Sequence, residues 1–295
     1  MEKGVVMTAV RLLHSRLCSR VLCRLLVGAL LTGGVLAGCS RAPIERVEWP
    51  VMGTIAAVQY NDNRDVPLWD VAPNCTKWAF AEVERLLNAH DPKSEISRLA
   101  ALPEKDVLER CDAQMRPCYE MAFRLMRESG GAFNPRWQGP KRLDLGAIAK
   151  GFAVDFAAET FSDLKRKSGW RMLIDLGGNL KAVKGDWTVG IKDGESFVLH
   201  EGCACATSAE YYRGKHIYDG RTGQAVSNGV ASVTVVVNGS AMEADGLSTT
   251  LFVLGPEEGK RFLDEKWKTV GVQAVWFLAD GRCISHLSHA DSIPR

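Results

Sequence analysis

Between Met172 and Thr207 the sequence reads as one short strand after another, with no helix-length periodic segment between them. The runs Met172 to Asp175, Trp187 to Lys192, Ser196 to His200 and Cys203 to Thr207 follow each other directly, each punctuated by turn-forming residues. Strands that come in runs, rather than alternating with helices, argue for an α+β chain with mixed or antiparallel sheets packed by helices, not for a doubly wound sheet. The β-branched run Val230 to Val237 reads as a central strand. Val272 to Leu278 pairs with Arg282 to Ser285 through Asp280-Gly281. Val47 to Tyr60, interrupted by Pro50 and Gly53, is a strand pair or one long bent strand.

Helical periodicity appears in Thr76 to Ala89, in Cys111 to Glu128 and from Gly146 to about Asp163. It returns in Ala241 to Leu254 and Pro256 to Trp267. Pro117 belongs in the first turn of its helix, where its missing donor costs little, and Gly130-Gly131 stops that helix. Ser94 and Ser97 open a short turn before Leu99. No internal repeat or linker divides the chain, which predicts one compact catalytic unit over residues 39–295.

The N-terminal segment stands apart. Lys3, Arg11, Arg16, Arg20 and Arg24 lead into the apolar run Leu25 to Gly38, and Leu36-Ala37-Gly38-Cys39 reads as a lipoprotein signal over residues 1–38. Cys39 would then carry the lipid, with an uncleaved N-terminal anchor as the other reading. Either predicts a membrane protein facing the periplasm or exterior, and Ser40 favours an outer-membrane destination in a cell with two membranes. Removing residues 1–38 takes away five basic residues and one acidic, leaving 32 Lys/Arg against 34 Asp/Glu. That balance, with no basic aromatic stripe, excludes nucleic acid as the expected partner. Six cysteines lie beyond Cys39, and in an exported chain disulfides are allowed. Cys203-Ala-Cys205 lacks a second pair at zinc spacing, so buried cysteines or one disulfide is the reading.

Asp245 and Thr249 stand four apart in Ala-Asp-Gly-Leu-Ser-Thr-Thr. On a helix that spacing puts a carboxylate and a hydroxyl on one face, and these hard oxygens suit Mg²⁺. Leu143 to Gly151 opens a helix whose N-terminus would offer N–H groups to a phosphate, with Lys150 adding charge and the Ala147 carbonyl as a further metal ligand. The same segment also reads as an ordinary strand-to-helix turn with an N-cap aspartate. Ile174 to Asn179 is a strand ending in a double-glycine turn, either structural or allowing close backbone approach to a ligand. Asp219 to Gly223 has tight-turn composition, and His216 just before it is either a solvated loop histidine or a general base acting on a hydroxyl.

Taken together and in order, several segments resemble the ApbE family of flavin transferases. They are Met52-Gly53-Thr54, Ser94 to Leu99, Gly131-Ala132-Phe133, Asp144 to Gly151, Asp175 to Asn179, Thr207-Ser208, His216 to Gly223, and Ala244-Asp245 with Ser248-Thr249. The resemblance implies a Mg²⁺-dependent enzyme that splits FAD and moves its FMN half onto a threonine of an exported or membrane redox protein, releasing AMP. It implies that Asp245, Thr249 and the Ala147 carbonyl hold the metal. Met52, Ala132, Phe133, Asn134, Asp144, Lys150 and Tyr218 would line the FAD, and His216 would act as base on the acceptor threonine. An FAD pyrophosphatase and a non-catalytic flavin-binding lipoprotein are the competing functions. The chain departs from the family in several places: only Asn134 to Leu143 separate Phe133 from Asp144, where the family has several dozen more residues. Asn134 stands for an aspartate, His90 for a tyrosine, Ala209 for a glycine and Gly220 for a proline.

Overall fold

The computed structural model describes residues 43–61, 68–190, 196–210 and 216–288. The predicted signal segment and Cys39 lie outside them, as do residues 191–195 and 211–215.

The chain opens with a hairpin of β1 (Ile44–Val51) and β2 (Thr54–Asn61), so the strand-pair reading holds. Its two-residue turn places Met52 at φ 49° and Gly53 at φ 66°, the left-handed pair that matches strand twist. Next come α1 (Val71–Leu87), α2 (Glu95–Leu99), α3 (Glu104–Arg110), α4 (Arg116–Glu128) and α5 (Ala149–Glu159). Strands β3 (Arg171–Leu176), β4 (Asn179–Lys184), β5 (Trp187–Gly190), β6 (Ser196–Leu199) and β7 (Cys203–Ala209) follow. A small hairpin pairs β8 (Tyr218–Asp219) with β9 (Gln224–Ala225), before β10 (Val230–Asn238), α6 (Ala241–Lys266), β11 (Val272–Leu278) and β12 (Cys283–Leu287).

Eight strands form the main sheet in the order β1-β2-β3-β4-β7-β10-β11-β12, with every neighbouring pair antiparallel. The α+β class read from the strand runs is therefore the observed one. The β-branched run forms interior strand β10, and the Asp280-Gly281 hairpin joins β11 to β12. Strands β5 and β6 make a separate ribbon, and Thr188–Phe197 does not belong to the compact unit formed by Ala42–Trp187 and Val198–Arg295. That compact unit contains everything described below.

Register explains where the long helix sits. Ala204, Ala206 and Ser208 of β7 align with Val237, Val235 and Val233 of β10, and these with Val272, Ala274 and Trp276 of β11. This apolar row, small on β7, lets α6 lie on β7 and β10, and the Trp276 indole N–H donates to the Leu251 carbonyl at 3.1 Å. Helix α5 packs between α1 and α6 over β3 and β4. Trp170, Trp267, Trp276, Tyr119, Phe80 and Phe252 are among the largest fully buried side chains, each contributing about 2–3 kcal/mol by leaving water.

Asp155 ties the two central helices together. Its Oδ1 accepts from the Ala241 N–H (3.0 Å) and Lys181 Nζ (2.6 Å), and its Oδ2 from the Met242 N–H (2.9 Å) and Ser240 Oγ (2.7 Å). Ser240 Oγ also accepts from the Glu243 N–H at 3.1 Å, completing the N-terminal cap of α6. Gly255, at φ 72° before Pro256, breaks α6 into the two helical stretches read from the sequence.

Three details differ from the sequence reading. The helix expected from Cys111 begins at Arg116, because residues 111–115 form a turn after the unpredicted α3. Pro117 does fall at its first positions. β4 went unread because its lysines, Lys181 and Lys184, interrupt any apolar signal. All six described cysteines are free thiols; Cys203 and Cys205 share the face of β7 turned away from α6, and burial pushes the Cys205 thiol up to about 12.

Candidate active site

A cleft of about 720 Å³ is lined by the N-terminal part of α5, the second and third turns of α6, the end of β7, the β3–β4 turn, Ala132 to Trp137, and His216 to Tyr218. Its volume falls in the range of small-molecule sites.

One corner is built by helices. Asp245 is 5% exposed, and its Oδ2 accepts from the Gly151 N–H at 2.8 Å. A Cβ on residue 151 would sit 2.2 Å from the Ala241 carbonyl oxygen and 2.6 Å from Asp245 Cβ, so only glycine lets α5 approach α6 this closely. Burial raises the Asp245 carboxyl above its usual range, while the Lys150 charge and the Gly151 N–H oppose that shift. One turn along α6, Thr249 Oγ1 lies 3.4 Å from the Ala147 carbonyl oxygen and 3.1 Å from Ser208 Oγ. Ser208 Oγ is also 2.8 Å from Ser248 Oγ, which donates to the Asp245 carbonyl.

A buried carboxylate, a hydroxyl and a main-chain carbonyl therefore meet on the cleft wall. All three are hard oxygen donors, a set that fits Mg²⁺, with water and substrate oxygens supplying the rest of its shell. Among the described residues no group of three or more His, Cys, Asp or Glu is placed to hold a metal, so this corner is no softer-metal cage.

The reading of Asp144 as the N-cap of a strand-to-helix turn needs correction. No strand precedes the turn, and Asp144 is not the N-cap of α5; that position is Ile148, which has no side-chain cap. Asp144 Oδ1 instead accepts from the Gly146 N–H at 2.8 Å. The Ile148 and Ala149 N–H groups donate to the Leu145 carbonyl, and that of Gly151 goes to Asp245. Lys150, whose Nζ lies 3.3 Å from the Gly146 carbonyl oxygen, adds a positive side chain to this turn.

The opposite wall is made of loops. Ala132 and Phe133 are buried, and Asn134 Nδ2 donates to the Gly220 carbonyl at 3.1 Å. A Cβ on residue 220 would lie 2.2 Å from Asn134 Cβ and 2.5 Å from the Gly131 carbonyl oxygen. Two departures noted in the sequence, Asn134 and Gly220, thus pack on each other: an aspartate could not donate this bond and a side chain at 220 would not fit. Trp137 stacks on Tyr218, with centroids 4.1 Å apart and rings inclined by 13°.

His216 lines the cleft and is exposed at its edge, and exposed His90 and half-exposed Ala209 also line it. Asn179, 3% exposed, donates from Nδ2 to the Leu176 carbonyl, while its Oδ1 has no hydrogen-bond partner. A ligand donor would relieve that orphaned acceptor. Met52 is the exception among the sequence-derived residues. It does not line the cleft, because the hairpin turn packs its side chain on the core and Glu84 takes its N–H at 3.0 Å; Thr54 lines the cleft instead. Ser94 caps α2, and Glu95 binds the Asp112 N–H and Tyr119 hydroxyl, so that motif is structural and lies off the cleft.

Sequence reasoning missed Trp137, Ser208 as the partner of Thr249, and Asp155. Only Trp137 left a signal, as a lone aromatic in a short basic loop.

Known proteins bear on this geometry. The sequence profile of the ApbE family matches residues 136–276. An FAD:protein FMN transferase of Treponema pallidum is 31% identical over 216 residues, covering 62% of this chain and 56% of that protein. One from Klebsiella pneumoniae is 37% identical over 132 residues, 40% of each chain. The chain thus spans roughly half the length of these curated relatives. The apo structure of the flavinyl transferase ApbE from Pseudomonas stutzeri superposes with a TM-score of 0.68 at 23% identity, over 84% of this chain and 95% of that one. The flavin transferase ApbE from Vibrio cholerae gives 0.66 at 24% identity, over 85% and 98%. The fold is thus matched nearly end to end and the sequence across most of the cleft, so the chain is similar to ApbE-family flavin transferases in both.

Proposed function

We propose that the cleft binds FAD and that the chain is an FAD:protein FMN transferase, moving the FMN half onto a threonine hydroxyl of an acceptor protein and releasing AMP. The names of its relatives support the activity, and the oxygen-donor corner formed by Asp245, Thr249 and the Ala147 carbonyl is the observation that carries it. These three residues would hold Mg²⁺, which when bound would neutralise the diphosphate between the two nucleotide halves. Lys150 adds a fixed positive charge beside that corner. Gly151 holds the Asp245 carboxylate by one oxygen, fixing its orientation. His216, at the cleft edge where an acceptor chain can reach, takes the proton from the attacking threonine. The loop wall, with Ala132, Phe133, Asn134, Asp144 and Tyr218, accommodates the FAD.

The test supplies FAD, Mg²⁺ and an acceptor domain with an Asp-x-x-Ser/Thr-Gly-Ala-Thr-like segment. An acid-stable flavin on that threonine, with one AMP per flavin transferred, is the expected result. FMN serving equally well as donor contradicts it, and AMP release at an unchanged rate without acceptor makes the chain a pyrophosphatase. The same reading attaches the mature protein to a membrane through lipid on Cys39, and Cys39→Ser should then abolish incorporation of labelled lipid.

A further inference from the structure

The segment from Asn134 to Leu143 is short, yet it is firmly held. Arg136 is its anchor: Nη1 donates to the Ala100 and Pro140 carbonyls at 2.5 and 2.8 Å, and Nη2 to the Leu102 carbonyl at 2.6 Å. Its guanidinium lies over the Phe123 ring, and burial pushes its pKa down, so this arginine is a structural peg more than a surface charge. Asn134 Oδ1 accepts from the Arg136 N–H, the Asn134 carbonyl from the Trp137 N–H, and the Pro135 carbonyl from the Asp144 N–H. A loop with these bonds presents its one aromatic side chain in one place. That side chain is Trp137, half-buried, in the cleft wall and stacked on Tyr218.

A half-buried tryptophan on a pegged loop, stacked face to face on a tyrosine, is held in one orientation and offers its other face to a planar ring. Planar heteroaromatic rings stack on such faces largely without regard to their hydrogen-bonding edges. The Gly220–Asn134 contact seats the Tyr218 hairpin on the Trp137 loop and so keeps the two rings stacked. We propose that Trp137, stacked on Tyr218 and pegged by Arg136, is the ring-stacking residue of the cleft, taking a planar ring of the dinucleotide. The inference rests on the reading that the cleft binds FAD, and it deepens that reading by adding a residue to the ring wall. Isoalloxazine and adenine share the required chemistry.

The experiment measures binding of FAD, FMN and AMP to the wild-type chain, Trp137→Phe, Trp137→Leu and Trp137→Ala, alongside flavin fluorescence and circular dichroism. Trp137→Ala and Trp137→Leu should weaken FAD binding about 10- to 100-fold, the range expected for one lost stacking partner. Trp137→Phe should stay within about fivefold of wild type. Leucine keeps bulk and loses the ring, so it separates stacking from packing should alanine fail to fold. Weakening confined to FMN assigns the isoalloxazine to the wall, with loss of flavin fluorescence quenching as its signature; weakening confined to AMP assigns the adenine. Folded leucine and alanine variants that bind FAD as wild type does would overturn the proposal and leave the transferase reading intact. A wild-type chain that binds none of the three nucleotides would overturn both.

Discussion

The two walls of the cleft are built differently. The oxygen-donor corner rests on α5 and α6, whose spacing is set by Gly151 and which Asp155 of α5 ties together at the N-terminus of α6. The ring wall rests on two loops, one pegged by Arg136 and one seated on Asn134 through Gly220. Helices transmit position through packed cores, so a corner made of them cannot adjust without opening the fold. Loops give locally, and changes there should alter ligand preference more than stability.

Substitutions at matched positions can break this contrast. The largest stability effect is expected from Asp155→Ala, which removes two backbone caps of α6 and strands part-buried Lys181. We expect a loss of about 2–4 kcal/mol by denaturant unfolding. Gly151→Ala follows, forcing a methyl against the Ala241 carbonyl and costing about 1–3 kcal/mol together with most of the proposed transfer activity. Arg136→Ala leaves three carbonyls without their donor at a cost of about 2 kcal/mol, with its larger effect on nucleotide affinity. Gly220→Ala, equally crowded on paper, should cost about 1 kcal/mol or less because its neighbours are loops that can yield. Equal destabilisation by Gly151→Ala and Gly220→Ala would erase the distinction between the walls.

The smallest expected effect concerns pH. Burial raises the Asp175 carboxyl above its ordinary value, against a lowering contribution from the Gly178 N–H. A carboxyl raised in the folded state binds more protons there than in the unfolded chain, so its contribution to stability falls as pH rises through the folded pKa. Asp175→Asn should therefore raise the melting temperature slightly at neutral pH, with the gain vanishing toward acid. A gain that grew on acidification would contradict this.

The same contrast explains what the sequence could tell. Asp245 and Thr249 were legible because a helix repeats on a fixed period, and four residues along it return to the same face. Val230 to Val237 and the Asp280-Gly281 hairpin were legible for the same kind of reason: strand patterning and turn chemistry are local. The Asp144 turn was misread because whether an N–H is spent depends on Leu145 and on Asp245, ninety-four residues away from its partner Gly151. Trp137 was missed because loops carry no period, and its stacking on Tyr218 joins segments far apart in the chain. Met52 was assigned to the cleft by resemblance alone, yet its place in the β1–β2 turn sends its side chain to the core.

The account stands or falls on whether the helical corner holds a divalent cation. Electron paramagnetic resonance of Mn²⁺ as a stand-in for Mg²⁺, titrated into the FAD-loaded wild-type chain and into Asp245→Asn, tests this directly. The account predicts one tightly bound ion per chain in wild type and at least tenfold weaker binding in the variant. Equal affinity in the two, with both folded and both holding FAD, would contradict it.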